Sequence, residues 1–246
     1  MVSAFDRDGY IVLGPDERVA AWSKAAHQVA LHRAQDEALR KTWLRHQGTW
    51  FVGVDALPNA RDGAIGGVPL TGPWAPFIKA PETWHAAQLS VVYPGYPKQD
   101  PDESDANHRF RINRCAAHVD GILLENGRRF LREPHAFVLG LPLNSSEACP
   151  LVVWPGSHLL MGAALKEVLQ EDPQADITEV YKTARASVFA KIDPVQVSAD
   201  PGQAVLLHRH LLHGIAPWKT GDTAPPEGRM VAYFRPQMDR LEDWAV

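Results

Sequence analysis

A chain of 246 residues with 45% hydrophobic side chains can bury a sizeable core, which excludes disorder as its default state. The formal net charge of −4, with basic residues scattered along the chain, excludes an extended nucleic-acid footprint. Cys115 and Cys149 are too few for a disulfide framework, and uncharged apolar runs such as 136–143 fall far short of the roughly 20 residues of a membrane helix. The opening residues show no basic stretch followed by an apolar run, so a soluble cytoplasmic protein without a signal peptide is expected.

Residues 10–13 read as a short strand closed by Gly14-Pro15. A helix is expected from about 16 to 45, within a helical N-terminal part at 15–47; Asp16 and Glu17 suit its positive end and Gly48 its stop. Trp22, Ala26, Val29 and Ala30 recur at helical spacing and predict a core-facing stripe. From Trp50 onward, short β-rich runs alternate with Pro/Gly-rich connections, at 50–54, 88–93, 110–118, 136–143, 151–154, 195–197, 203–208 and 229–234. That pattern predicts an antiparallel sandwich or barrel. The basic cluster from Arg109 to Arg114 falls in one of these strand-like runs. The long loops at 55–83 and 94–107 are expected to act as lids or binding loops.

A helical insertion interrupts the strands at about 159–190. Its second half opens on Asp176 and Glu179 as a D-x-x-E start, and Ile177, Val180, Tyr181, Ala184 and Val188 share one face. No repeat or boundary divides the chain, so one mainly β domain with helical decoration is expected over 1–246.

The sharpest local feature is His118-Val119-Asp120, just before Gly121. On a strand, residues i and i+2 share a face, so the imidazole and the carboxylate can converge on one ion. Two histidines and a carboxylate leave three positions of an octahedral ion open, the arrangement of non-haem iron(II) oxygenases. A bare H-x-D is a weak signal, because chance supplies it often. A third ligand is sought in the later run Leu206–Gly214, where His208, His210 and His213 are candidates. His213 precedes Gly214, which lets backbone approach a bound ligand; the bland alternative for any one of the three is an ordinary core histidine. A 2-oxoglutarate enzyme also needs a cation for the far carboxylate, and the planar fork of arginine suits it. Arg229 opens the last β-like run 16 residues after His213, and Arg235, of the same strand parity, is the alternative.

Four stretches together resemble the phytanoyl-CoA dioxygenase family of iron(II)/2-oxoglutarate oxygenases, in that family's order. They are Phe5-Asp6-Arg7-Asp8-Gly9-Tyr10, His118-Val119-Asp120, Pro150–His158 with its P-G-S-H turn, and Gly202–His208 followed by His213-Gly214 and Arg229. The resemblance implies a double-stranded β-helix (jelly-roll, cupin-like) core holding Fe(II) and 2-oxoglutarate, with O2 as the oxidant. It implies His118, Asp120 and His213 as metal ligands and catalytic set, Arg229 for the co-substrate, and structural or rim roles for His208 and His158. His135 is the best positional match to a tryptophan that sits near the co-substrate in the family, with a capped strand start as the alternative. Three departures stand out: Ile215 replaces the serine after H-G, Trp218 replaces an asparagine, and 219–228 lengthens the approach to Arg229. The carboxylate of Asp120 stands where halogenating members carry a small residue, which implies hydroxylation.

The expected activity is therefore hydroxylation of a small molecule, with release of succinate and CO2. The competing readings are a cupin-like metal enzyme that does not use 2-oxoglutarate and a non-catalytic jelly-roll binding protein. Trp50, Trp74, Trp84, Tyr93 and Tyr96 lie in or beside the long loops, where they either line a pocket or pack beneath the loop. Neither a nucleic-acid nor a membrane partner is expected.

Overall fold

The computed structural model describes residues 3–245. The chain opens with a short helix α1 (Ala4–Asp8) and strand β1 (Tyr10–Leu13). Helix α2 (Glu17–Arg33) follows, its first turn held by the Asp16 side chain accepting from the amides of Arg18 and Val19. The single helix expected to 45 is two: Asp36 accepts from Leu39 N at 2.9 Å and starts a new helix, α3 (Glu37–Trp43). A side chain able to recap the backbone ends one helix and begins another.

Strands β2 (Leu44–Arg45), β3 (Trp50–Leu57) and β4 (Ala87–Val92) come next. The strand expected at 110–118 is instead mostly helix α4 (Asp105–Arg114), capped by Ser104. Its apparent alternation is misleading, since α4 buries no residue fully and Ile112 is exposed. Cys115 and Ala116 then take left-handed backbone angles, and only a single bridge, His118 to His213, survives of the expected strand.

A hairpin that the sequence reading missed, β5 (Ile122–Glu125) and β6 (Arg128–Leu131), turns through Asn126-Gly127, both at positive φ. That dipeptide is the strongest short hairpin signal and could have found it. Strands β7 (Phe137–Pro142) and β8 (Leu151–Val153) lead to helices α5 (Ser157–Glu171) and α6 (Thr178–Lys191). The chain closes with β9 (Val195–Val197), β10 (Ala204–His208), β11 (His213–Ile215), β12 (Arg229–Phe234) and α7 (Leu241–Trp244).

The major sheet runs β1-β10-β7-β12-β4-β3-β2 and the minor one β11-β8-β9, with His118 bridged to the free edge of β11. All named pairings in both sheets are antiparallel. Four central strands of the large sheet, β10-β7-β12-β4, face His118-β11-β8-β9. This is the eight-strand connectivity of a jelly roll, the double-stranded β-helix expected from the resemblance. The roll is open rather than a closed barrel. Among the described residues, no helix is long and apolar enough to cross a membrane.

Strand parity sorts the side chains. Leu89, Val91, Leu139, Leu141, Ala232 and Phe234 face outward onto α2, where Trp22 and Ala26 are fully buried. On the other side, Trp154, Met161, Leu165 and Tyr181 pack α5 and α6 against the minor sheet. Leu70 and Trp74 of the loop after β3, with Trp84 just beyond it, belong to the outer core, and Tyr93 packs beside them.

Of three histidines outside the metal constellation, His158 and His210 tie the chain ends to the roll and His208 braces the turn after β10. His158 Nε2 meets the carbonyl of Asp6 at 3.0 Å, His210 Nε2 that of Trp244 at 2.8 Å, and His208 Nδ1 accepts from the amide of His210 at 3.1 Å. None of the three joins the metal-binding group. Gly9, at φ +78°, abuts His158 so closely that a Cβ would lie 2.4 Å from its Nδ1.

Trp22 donates its indole N–H to Gly63 O at 2.9 Å and packs 5.5 Å from the Phe234 ring. Trp22→Ala is expected to cost about 3–5 kcal/mol, read as a lower urea midpoint with unchanged slope. Burial, followed by neighbouring positive charge, pulls His208 and His210 down to about 3. The unfolded chain regains ordinary histidine values near 6.5 and binds more protons in between, so this contribution to stability is intact above about pH 6.5 and is lost as pH falls toward 3. Urea midpoints measured from pH 7 to 5 should fall in the parent protein and fall less in His210→Gln.

Candidate metal centre

The bridge between His118 and His213 is a reciprocal backbone pair, His118 N to His213 O at 2.9 Å and His213 N to His118 O at 3.0 Å. It places the two rings side by side, with centroids 4.8 Å apart. Asp120, two residues on, points to the same side as His118. Val119 points away into the core beneath α6, and its amide donates to the Tyr181 hydroxyl at 3.2 Å. Asp120 and His213 are buried, while His118 at the cavity mouth keeps 48% of its side chain exposed.

Two glycines make this approach possible. A Cβ on Gly214 would lie 2.0 Å from the carbonyl oxygen of Cys115, and one on Gly121 would lie 1.9 Å from that of Glu133. The space beside Gly214 is therefore taken by backbone rather than by a ligand, which corrects the reason given for it from sequence. The Cys115 carbonyl accepts from Ile215 N at 3.1 Å, and the Gly121 carbonyl accepts from the amides of Arg132 and Glu133.

The orientation of each ring is fixed from behind. His118 Nδ1 lies 3.0 Å from Ala116 O and His213 Nδ1 lies 2.9 Å from Leu211 O. A carbonyl only accepts, so each Nδ1 carries a proton and each Nε2 is the atom turned to the site, free to ligate a metal once deprotonated. Those Nε2 atoms lie 3.0 and 3.8 Å from Asp120 Oδ1. Without a metal, a proton on His118 Nε2 can bridge to Asp120; a cation would take that proton's place and draw all three donor atoms. The donor set, two imidazoles and a carboxylate within 4.8 Å of one another, fits an ion such as Fe(II).

The charges respond accordingly. Burial would raise the Asp120 carboxyl, but the His118 hydrogen bond and the His213 and Arg235 charges hold it well below its usual range. Burial depresses His118, yet the Asp120 carboxylate lifts it above the ordinary value overall. His213 stays depressed because burial there outweighs the pull of Asp120.

The triad opens into a cavity of about 330 Å³ between the two sheets. Trp50, Val52 and Val54 of β3, Gln88 and Ser90 of β4, and Tyr233 with Arg235 from β12 and its exit line one wall. Tyr96, Leu151 and Ile215 line the other side. Trp50 and Tyr96 are thus the two loop aromatics that reach the cavity. Gln88, Ser90 and Tyr233 went unnoticed in the sequence, although Gln88 and Ser90 are polar residues two apart in an otherwise apolar strand. Arg229 faces inward but lies behind Tyr233, close enough for its charge to act on the phenol, beside a side space of only about 20 Å³. Arg235 reaches the metal end, with Nη1 3.6 Å from Asp120 Oδ2 and Nη2 bonded to Gln88. His135 does not line the central cavity. It sits behind it, Nδ1 at 3.0 Å from Arg235 O and Nε2 at 3.1 Å from Glu133.

No protein-family model matches the chain, and no curated protein matches it. Solved structures do resemble it. EctD from S. alaskensis, solved with 2-oxoglutarate and 5-hydroxyectoine, matches at 20% identity and a TM-score of 0.44, over 94% of this chain and 72% of that one. The non-haem α-ketoglutarate-dependent carbocyclase SnoK from nogalamycin biosynthesis matches at 16% and 0.48, over 95% and 82%. AviO1 from Streptomyces viridochromogenes Tue57 matches at 18% and 0.45, over 96% and 93%. At these scores the functional reading rests on the side-chain geometry.

Anaerobic calorimetry with Mn(II) or Fe(II) should show one site per chain that His213→Ala abolishes. Gly214→Ala forces the Cys115 carbonyl away from the bridge without removing any ligand. It should weaken metal binding on the order of 10- to 100-fold, the size expected when outer support of ligands is lost.

Proposed function

We propose that the protein is an Fe(II)- and 2-oxoglutarate-dependent oxygenase that hydroxylates a small molecule, with succinate and CO2 as co-products. The observation that carries this reading is the convergence of the His118 and His213 Nε2 atoms on Asp120 Oδ1, with both Nδ1 atoms turned to backbone carbonyls. His118, Asp120 and His213 would hold the iron on one face and leave the remaining positions for co-substrate and O2. Bound iron and 2-oxoglutarate supply the O2 activation and C–H oxidation that side chains cannot perform.

The protein's own contributions are orientation and exclusion of water. Val138, Leu151 and Ile215 give the cavity an apolar interior, in which charges interact more strongly than in water. Arg229, with the Tyr233 phenol, is the pair assigned to the far carboxylate of 2-oxoglutarate. That carboxylate lies several bonds beyond the end that chelates a metal, and Arg235 stands too near the triad to take it. Asp120 fills the position that a halide would need, in keeping with hydroxylation. His135 is assigned a supporting place behind the site, holding the backbone of Arg235 rather than touching co-substrate.

One observation favours a metal enzyme that does not use 2-oxoglutarate. Ile215 offers no hydroxyl, and the space beside Arg229 holds little more than a water until Tyr233 moves. Succinate release separates the readings. The iron-loaded protein should convert 2-oxoglutarate to succinate, and Arg229→Gln should bind 2-oxoglutarate about 10- to 100-fold more weakly, the loss expected for a charge-assisted contact. A parent protein that binds iron but neither binds nor turns over 2-oxoglutarate would establish the alternative.

A further inference from the structure

We infer that the primary substrate is a small amphipathic monocarboxylate, with its carboxylate on Arg235 and its apolar body along Trp50, Val52, Val54 and Leu123. This deepens the reading of the metal site given above and rests on it.

Arg235 is prepared for an anion. Its backbone amide donates to His85 Nε2 at 2.8 Å, and its carbonyl accepts from His135 Nδ1 at 3.0 Å, so the root of the side chain is fixed on both sides. The side chain is 20% exposed. A guanidinium has five N–H donors, and Gln88 takes one in a hydrogen bond. The contact to Asp120, at 3.6 Å, is an ion pair longer than a hydrogen bond. Once a cation binds Asp120 Oδ1, much of that carboxylate's charge is committed to the metal. A guanidinium left without its counter-charge in a mostly enclosed wall is costly, and a second carboxylate relieves that cost through paired N–H···O bonds. The co-substrate does not supply it, because its far carboxylate is assigned to Arg229, six residues back and about 20 Å along the strand at the rise per residue of an extended chain.

Position and shape agree. A second chamber of about 370 Å³ lies beyond the metal cavity, and the two share Val54, Glu133 and Arg235 in their walls. Arg235 therefore stands at the junction, within reach of a ligand that passes the metal. Trp50, Val52 and Val54 project from one face of β3, and Leu123 faces them from the hairpin. Val54 and Leu123 are 37% and 41% exposed, apolar side chains left wet at the rim of a cavity, where an apolar ligand would cover them. Glu133 and Asp55 put negative charge on the same rim. They disfavour a dianion such as a phosphate ester and favour a single carboxylate.

The test is anaerobic calorimetry on protein loaded with Mn(II) and 2-oxoglutarate, titrated with hexanoate, hexanamide and hexyl phosphate. Hexanoate should bind at least about 10-fold more tightly than the other two, as a charge-assisted pair requires. With Mn(II) and 2-oxoglutarate held at saturation, Arg235→Gln should erase the preference over hexanamide. Arg235→Lys should retain part of the preference, which also guards against misfolding of the glutamine variant. Equal binding of hexanoate and hexanamide, or tightest binding of hexyl phosphate, would overturn the inference. So would an Arg235→Gln protein that loses Mn(II) affinity but keeps the hexanoate preference, since Arg235 would then be only a positioning residue for Asp120. A parent protein that takes up neither Mn(II) nor 2-oxoglutarate would instead remove the metal-site reading, and this inference with it.

Discussion

Everything chemical in this protein depends on one backbone bridge, the reciprocal hydrogen-bonded pair between His118 and His213. Residues directly opposite in such a pair have their Cα atoms about 5.5 Å apart and side chains on one face, which forces two imidazoles together. The neighbouring Asp120 then has nowhere to turn except toward both. Without a metal, the Nε2 atoms stand 3.0 and 3.8 Å from the Asp120 carboxylate, and an ion binding there would displace a proton from between them. Metal binding and fold stability are therefore linked: an ion that binds only this arrangement stabilises the whole roll.

A single bridge is a weak ladder, so rigidity must come from elsewhere. It comes from the far side of the triad: the Tyr181 hydroxyl on the Val119 amide, the Cys115 carbonyl on Ile215, and the Gly121 carbonyl on Arg132 and Glu133. Helix α6 thus acts on the site without contacting the cavity, and the β5–β6 hairpin is anchored where it leaves the triad. Glycine at 121 and 214 is the condition for both close approaches, since any Cβ would fall within 2.0 Å of a carbonyl oxygen.

Local patterns showed an antiparallel β domain and an H-x-D able to share a face, while the jelly roll and the choice of His213 among three histidines rested on the resemblance, because they depend on contacts far apart in the chain. The helix over Asp105–Arg114 was not legible, because its apolar residues are too few to show a period and its cap, Ser104, lies in a stretch that reads as loop. Nor could sequence separate Arg229 from Arg235. They share the parity of β12 and its exit, and what distinguishes them is tertiary: Tyr233 stands before one, and Asp120 stands beside the other. His135 was placed near the co-substrate by position alone, whereas both its ring nitrogens are engaged behind the cavity.

The motifs that carry the family resemblance divide in the structure into two unequal kinds. Gly9 packs on His158, Gly156 N donates to Asp8 O at 2.8 Å, and His208 N donates to Gly9 O at 2.8 Å. The opening F-x-x-x-G-Y, the P-G-S-H turn and the first histidine of the closing block are thus one clasp, which pins the N-terminus across the end of the roll. Each needs the others: the glycine makes room for the imidazole, and the imidazole accepts no substitute of other shape at 4% exposure. Agreement among those three motifs is therefore agreement about fold. The chemical content lies in the remaining piece, His118-Val119-Asp120 meeting His213-Gly214, whose ligand atoms converge across 95 residues of sequence.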